Sequence, residues 1–517
     1  MRSPSYIVMT SELPTLTLDR DQRAKLWKKT IDSIDQYLSE VQNYRVIADL
    51  SAEDVRTLIN NVDFNQPLDP LEAIDFTVSA LQRYQTHTAH PRYFGLFDPA
   101  PATMAIAAEM LVAAINPQLS AWNQSPFAVE VEQYLLRVFG EKFGYAAGEI
   151  DGTFTSGGAE ANHTALITAL TYTFPEFASK GLRAISGDPV FYISSEAHHS
   201  LLKAARSCGL GTDAVRSIPV DDQLRMVPDL LSAQIKRDKA EGFLPFMVVS
   251  TAGTTNAGAV DPIHEIAAIA EREKLWLHTD AAWGGAAALV PELRVVLTGI
   301  ERSDSITFDP HKLLSITRGA GMYLTRHRSV LAEAFRAVTP YMPLQHTSGL
   351  VNPFTHSLQW SRRFSGMKLF LSLLVTGWEG YAEVVRNHVR LAHYLASELE
   401  KNGWMVVNDP LLAVVCFFDR TNVAGQSETY VEGIAQKIKD SGRAWLSTTR
   451  IKDRPLLRAC VSNHRTTKDD VDALISELNN ARDKFSRKGA KPSRKGAQEI
   501  LLGTLLCAFA SFLCALA

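Results

Sequence analysis

The chain has 517 residues, 46% of them hydrophobic and 21% charged, which is the composition of a globular protein. Its 53 Lys and Arg nearly cancel 56 Asp and Glu, so no basic field exists to hold nucleic acid. The five cysteines (Cys208, Cys416, Cys460, Cys507 and Cys514) are too scattered for a disulfide framework or a zinc site, which points to a reducing compartment.

The N-terminus, MRSPSYIVMTSELPTL, lacks the apolar run of a secretory signal. Residues 1–100 read as a polar helical segment that ends in HTAHPRYFGLFDPAPA. From 101 to 365 short apolar runs alternate with helical stretches. The runs are VFYIS (190–194), FMVVS (246–250), LWLHT (275–279) and SITF (305–308), and helices are expected at 227–241 and 262–273. Continuous apolar strands separated by helices predict an α/β domain with a mostly parallel sheet, covered on both faces. Ligands of such sheets bind at the carboxyl ends of the strands. From 366 to 484 the order changes: a long helix (380–402), strands at 404–407 and 412–418, a helix at 428–440, strands at 444–448 and 456–461, and a helix at 467–481. This predicts a smaller C-terminal α+β domain.

The tail, 485–517, differs in kind. Seven basic residues fall between 482 and 495, SRKGA occurs twice, and 500–517 is uncharged. Eighteen residues at about 1.5 Å each would span roughly 27 Å, the short limit for a membrane helix. The pattern resembles a tail anchor. Its Ala, Cys, Gly and Ser content and the repeat read equally as a late extension of the chain. The expected location is therefore the cytoplasm, with membrane contact only through this tail.

Four segments carry chemistry. Asp-Pro-His-Lys at 309–312 follows the run SITF, and a lysine there suits a Schiff base with an aldehyde cofactor. Asp280 follows the run LWLHT, where a carboxylate needs a partner such as a protonated pyridine nitrogen. FTSGGAEAN (154–162) offers Ser156, Gly157 and Gly158 at a helix start, a cradle for phosphate. His198, in SSEAHHS, stands where an imidazole can stack on a flat ring. A solvated lysine, a helix cap, a tight turn and a capping histidine are the plain alternatives, taken one at a time. Together, at strand ends and in the chain order cradle, His198, Asp280 and Lys312, the four imply pyridoxal 5'-phosphate.

The chain resembles the group II pyridoxal-phosphate-dependent amino-acid decarboxylases, which act on aromatic amino acids, glutamate, cysteine sulfinate or diaminobutyrate. The resemblance rests on HPRYFG (90–95), TSGGAEAN (155–162), AHHS (197–200), STAGTTNAGAVDPI (250–263), WLHTDAAWGG (276–285), GIERSDSIT (299–307), DPHK (309–312) and RACVSNHRTT (458–467). It implies the aspartate-aminotransferase-like fold, fold type I, as a homodimer. The first hundred residues would pack on the partner subunit. By resemblance, Lys312 holds the cofactor aldehyde, Asp280 pairs with the pyridine nitrogen and His198 stacks on the ring. Gly158 and Ala159 offer backbone donors to the phosphate. Thr255 and Ala282 complete the bed, and His311 supports the phosphate or loop closure. Arg458 would grip the substrate carboxylate, a bidentate task suited to guanidinium. Some relatives carry Asn where this chain has Asp309, and an amide donates to phosphate where a carboxylate does not. Tyr341, the only tyrosine of the interval 337–363 that ends in the Arg362–Arg363 pair, would return the proton to Cα.

The resemblance thus implies decarboxylation of an L-amino acid to the amine and CO2. Phe94 and Phe97, with Leu96, would line an apolar pocket that favours an aromatic substrate. The segments DAAWGG and GIERSDS look more like the glutamate and diaminobutyrate branches. An acidic or diamino substrate is the alternative, as is aldehyde synthesis on the same fold. A catalytically silent homologue is opposed by Lys312, Asp280, His198 and Arg458 occurring together.

Overall fold

The computed structural model describes residues 16–337 and 350–489, with side chains up to 483. Tyr341 and the tail from residue 490 lie outside the described residues. The chain divides into two compact units, one through His87 and one from Thr88 onward. The first ends short of the boundary expected at residue 100, because 88–100 joins the second unit.

The first unit holds helices α1 (Arg20–Glu40), α2 (Ala52–Asn60) and α3 (Pro70–Arg83). Each starts on a capping side chain. Asp19 and Gln22 form a capping box, as do Ser51 and Asp54, and Asp69 accepts from the Leu71 and Glu72 N–H groups.

The second unit begins with β1 (Tyr93–Phe94), α4 (Thr103–Ile115) and α5 (Pro126–Phe143). β2 (Asp151–Thr155) then leads into α6 (Gly158–Thr173). The strands that follow are β3 (Pro189–Ser194), β4 (Val215–Ile218), β5 (Leu244–Thr251), β6 (Trp276–Asp280), β7 (Ser305–Phe308) and β8 (Gly321–Thr325). With β2 they form a sheet in the order β2-β8-β7-β6-β5-β3-β4, in which β8 runs antiparallel to both neighbours. The sheet's inner strands are buried along their length, as their unbroken apolar runs require. Register aligns their ends: Thr251 lies beside Asp280, and Asp280 beside Thr307.

β9 (Trp404–Val406), β10 (Val414–Asp419), β11 (Trp445–Ile451) and β12 (Arg454–Cys460) form a second sheet, ordered β1-β11-β12-β10-β9. The helix expected at 380–402 runs over Gly366–Lys401 and is broken at Gly377, whose φ of 65° suits glycine alone. Among the described residues no helix is long and apolar enough to cross a membrane.

Asp151 opens β2 at the end of the sheet away from α6. It is 8% exposed; Oδ1 accepts from Gly152 N at 2.7 Å, and Oδ2 has no hydrogen-bond partner. His356 Nε2 stands 3.7 Å away, beyond a hydrogen bond. Burial pushes Asp151 up from 3.8 to about 7 and His356 down from 6.5 to about 4. A carboxyl raised in the folded state stabilises the fold while protonated. That contribution is complete below 3.8 and is lost as pH rises through about 7. Asp151→Asn keeps an oxygen for Gly152 N–H and removes the titration. Its melting temperature should fall less than wild type's between about pH 5 and pH 8. Equal declines measured by calorimetry would contradict this.

Candidate active site

Asp280, at the end of β6, is 6% exposed. Its Oδ2 accepts from Asn162 Nδ2 at 2.8 Å, and its Oδ1 from Ala282 N at 3.1 Å. Asn162 lies one turn into α6, four residues after Gly158, so both face the sheet end. Its Nδ2 also reaches Ser200 Oγ at 2.9 Å, and its Oδ1 accepts from Thr307 Oγ1 at 2.8 Å. His278 Nε2 lies 3.0 Å from the same Oδ1. Burial pushes His278 down to about 4, so its imidazole is neutral at physiological pH. Among the described residues, neutral groups thus hold Asp280.

His198 Nδ1 lies 2.8 Å from Ser200 Oγ, which ties its ring to the same network. Burial lowers its pKa, and the Asp280 charge opposes that. His198, Ala282, Thr255, Gly158 and Ala159 line one small cavity with Asp280 and Lys312. A second, larger cavity of about 540 Å³ lies around Asp222, His264 and Asp409 and holds none of these groups.

The turn after β7 carries Asp309, His311 and Lys312. Lys312 Nζ is 3.0 Å from Asp309 Oδ2, which also accepts from Gly158 N at 3.0 Å. His311 Nδ1 donates to the Ala320 carbonyl at 2.7 Å, and its ring packs near Gly157. Burial holds the His311 imidazole below its ordinary pKa. Glycine is required at 158: a Cβ there would come within 2.9 Å of Asp309 Oδ2 and 3.2 Å of Ala282 Cβ. Ser156 is less free than expected. Its backbone N–H and hydroxyl both donate to Glu160 Oε2 at 2.7 Å.

Arg458 sits on β12, 3% exposed. Its Nε donates to Asn256 O at 3.0 Å and one terminal nitrogen to Thr255 O at 2.6 Å. The other donates to Gly95 O and Ser447 Oγ, both at 3.0 Å. Of five N–H donors, one is left, so the expected bidentate grip on a carboxylate is not available in this geometry. Arg458 instead clips the 253–258 loop to the second sheet.

Phe94 corrects a second expectation. It is fully buried and packs with Leu395, Trp404 and Leu446 in the core of the second sheet, away from the cavity. Phe97 does come near. Its ring stacks on Trp283 at 4.3 Å, and the Arg458 guanidinium lies 5.4 Å from the Phe97 ring centre. Trp283 lines the cavity.

With this geometry in place, sequence comparison decides the family. The family model for the pyridoxal-dependent decarboxylase conserved domain matches residues 53–420. The chain belongs to the pyridoxal-dependent decarboxylases.

An aromatic-L-amino-acid decarboxylase of Bacillus atrophaeus is 28% identical over 470 residues, covering 90% of this chain and 96% of that one. The acidic amino acid decarboxylase GADL1 of Xenopus tropicalis is 34% identical over 347 residues, 65% of this chain and 66% of that one. The crystal structure of mouse CSAD superposes with a TM-score of 0.84 at 26% identity, covering 90% of this chain and 99% of that one. This decarboxylase is thus a pyridoxal-phosphate-dependent carboxy-lyase acting on an amino acid, with the α/β fold expected from its strand pattern.

The residues present fit the cofactor. A buried carboxylate with no ion pair among the described residues, a lysine and a glycine-built helix start border one cavity, a set that fits ring nitrogen, aldehyde and phosphate.

Two residues escaped notice in the sequence. Asn162 stood inside TSGGAEAN, and its spacing of four from Gly158 is the signal that marks it. Trp283 stood inside DAAWGG, and its side chain is placed by the loop glycines Gly253 and Gly258, which pack on its ring. Asn162→Ala removes the clamp on Asp280. It should lower kcat by roughly tenfold to a hundredfold with little change in KM, since a displaced group loses alignment. Steady-state kinetics showing wild-type kcat would contradict the clamp.

Proposed function

We propose that this decarboxylase removes CO2 from an aromatic L-amino acid and releases the amine. The observation that carries the substrate class is the stacked Phe97–Trp283 pair beside the cavity, an apolar wall suited to a flat ring. A second reading, an acidic substrate, is favoured by the identity to the acidic amino acid decarboxylase GADL1 of Xenopus tropicalis, 34%, and Bos taurus, 31%.

Bound pyridoxal phosphate supplies an electron sink for the pair left when the carboxylate departs. The protein's residues do the rest. Lys312 Nζ would hold the cofactor through its aldehyde, and Asp280 would keep the ring nitrogen protonated. His198 and Ala282 would flank the ring. Gly157, Gly158, Ala159 and Ser156 would hold the phosphate, with support from His311 and Thr255. Arg458 holds the Thr255 loop and offers its one remaining N–H to the substrate carboxylate. Tyr341 returns a proton to Cα, and its failure to do so would turn the reaction toward an aldehyde.

The enzyme acts as a homodimer in the cytoplasm in this reading. Exposed apolar side chains support the dimer: Ile115 on α4, Phe127 on α5, and Leu374 and Val375 on the 366–401 helix are 64–74% exposed.

The test incubates the full chain and pyridoxal phosphate with single L-amino acids and identifies products by mass spectrometry. The expected product is an amine lighter by CO2 from tryptophan, tyrosine, dopa or phenylalanine, and none from Lys312→Ala. An amine from glutamate, aspartate or cysteine sulfinate alone would establish the second reading, and an aldehyde would overturn both. Light scattering should give twice the chain mass for wild type and a lower mass for Ile115→Lys.

A further inference from the structure

The carboxylate of Asp309 is out of keeping with its surroundings. It is 2% exposed, at the end of β7, beside the first turn of α6. Its Oδ2 takes the Gly158 N–H at 3.0 Å and the Lys312 ammonium at 3.0 Å, and His311 Nε2 stands 4.0 Å off. Its Oδ1 is buried with no hydrogen-bond partner. A Cβ on Gly321 would meet that atom at 2.6 Å, so glycine at 321 leaves room for the carboxylate.

Gly158 N–H is one of the free donors that the start of α6 offers to an anion. Asp309 already uses it. A buried carboxylate that accepts from a helix start lowers the charge which that start presents to any other anion. A phosphate placed there must share or displace it, and the two negative groups repel in a region where water screens poorly.

We propose that Asp309 is a positioning residue that competes with the cofactor phosphate for the start of α6, so that the enzyme holds pyridoxal phosphate weakly enough to exchange it. The inference rests on the phosphate lying at Gly158 and Ala159. The same carboxylate fixes Lys312 beside the site, which gives the chain a reason to keep an acid there at a cost in cofactor affinity. An amide in its place keeps an acceptor for Gly158 N–H and adds a donor where the acid has only lone pairs.

The experiment measures equilibrium binding of two ligands, pyridoxal phosphate and pyridoxal, to full-length wild type, Asp309→Asn and Gly158→Ala, by quenching of tryptophan fluorescence. Asp309→Asn should bind pyridoxal phosphate about tenfold tighter or more, the scale of one unscreened like-charge contact removed. Loss of the Lys312 contact acts on pyridoxal, which has no phosphate, as much as on pyridoxal phosphate, so the ratio of the two constants isolates the phosphate and should shift about tenfold. Unchanged or weaker pyridoxal phosphate binding by Asp309→Asn overturns the proposal, as does equal tightening of both ligands. Gly158→Ala separates the two ideas. It should weaken pyridoxal phosphate far more than pyridoxal; if both are bound as in wild type, the phosphate does not lie at α6, and the placement itself fails. As a second measurement, inorganic phosphate should slow cofactor loading at lower concentration in Asp309→Asn than in wild type. The reverse order would also overturn the proposal.

Discussion

A carboxylate that water cannot reach governs this structure. Asp280 ends the central strand β6 at 6% exposure, where an unpaired charge is strongly disfavoured. The protein answers with hydrogen bonds from Asn162 and Ala282, and with no ion pair among the described residues. In the function proposed above, the protonated pyridine of the cofactor would be its positive partner.

The parallel sheet makes the arrangement possible. Its aligned strand ends bring Thr251, Asp280 and Thr307 into one row, and α6 starts beside them. Polar side chains cross the sheet beneath this row. Ser250 meets Thr279 at 2.8 Å, Thr279 meets Ser303 at 2.6 Å, and Trp276 Nε1 donates to Ser305 at 2.9 Å. Buried polar networks hold their members in one geometry when every group is paired. Neutral His278 belongs to this layer, between Ser305 and Asn162.

Much of this was legible in the chain. The runs at 190–194, 246–250, 275–279 and 305–308 became β3, β5, β6 and β7, because strands buried on both faces must be apolar throughout. β8 was not foreseen, since antiparallel pairing across a crossover leaves no local mark. The helix at 380–402 was foreseen only past Gly377, where its phase resets. Phe94 was misread because adjacent strand residues point to opposite faces, and only the pairing of β1 with β11 decides which face is which. Arg458 was found, but its partners are main-chain carbonyls from distant segments, which no motif records. Asp309 was noted as a departure, while its hold on Gly158 N–H required three dimensions.

If the buried charge of Asp280 serves the cofactor ring and not the fold, Asp280→Ala separates the two when compared with wild type for bound-cofactor absorbance, circular dichroism and turnover. The account predicts a folded protein that still binds the cofactor through Lys312 and loses turnover by a factor on the order of 10² to 10³ or more. A folded, cofactor-loaded variant with turnover within about tenfold of wild type would contradict it.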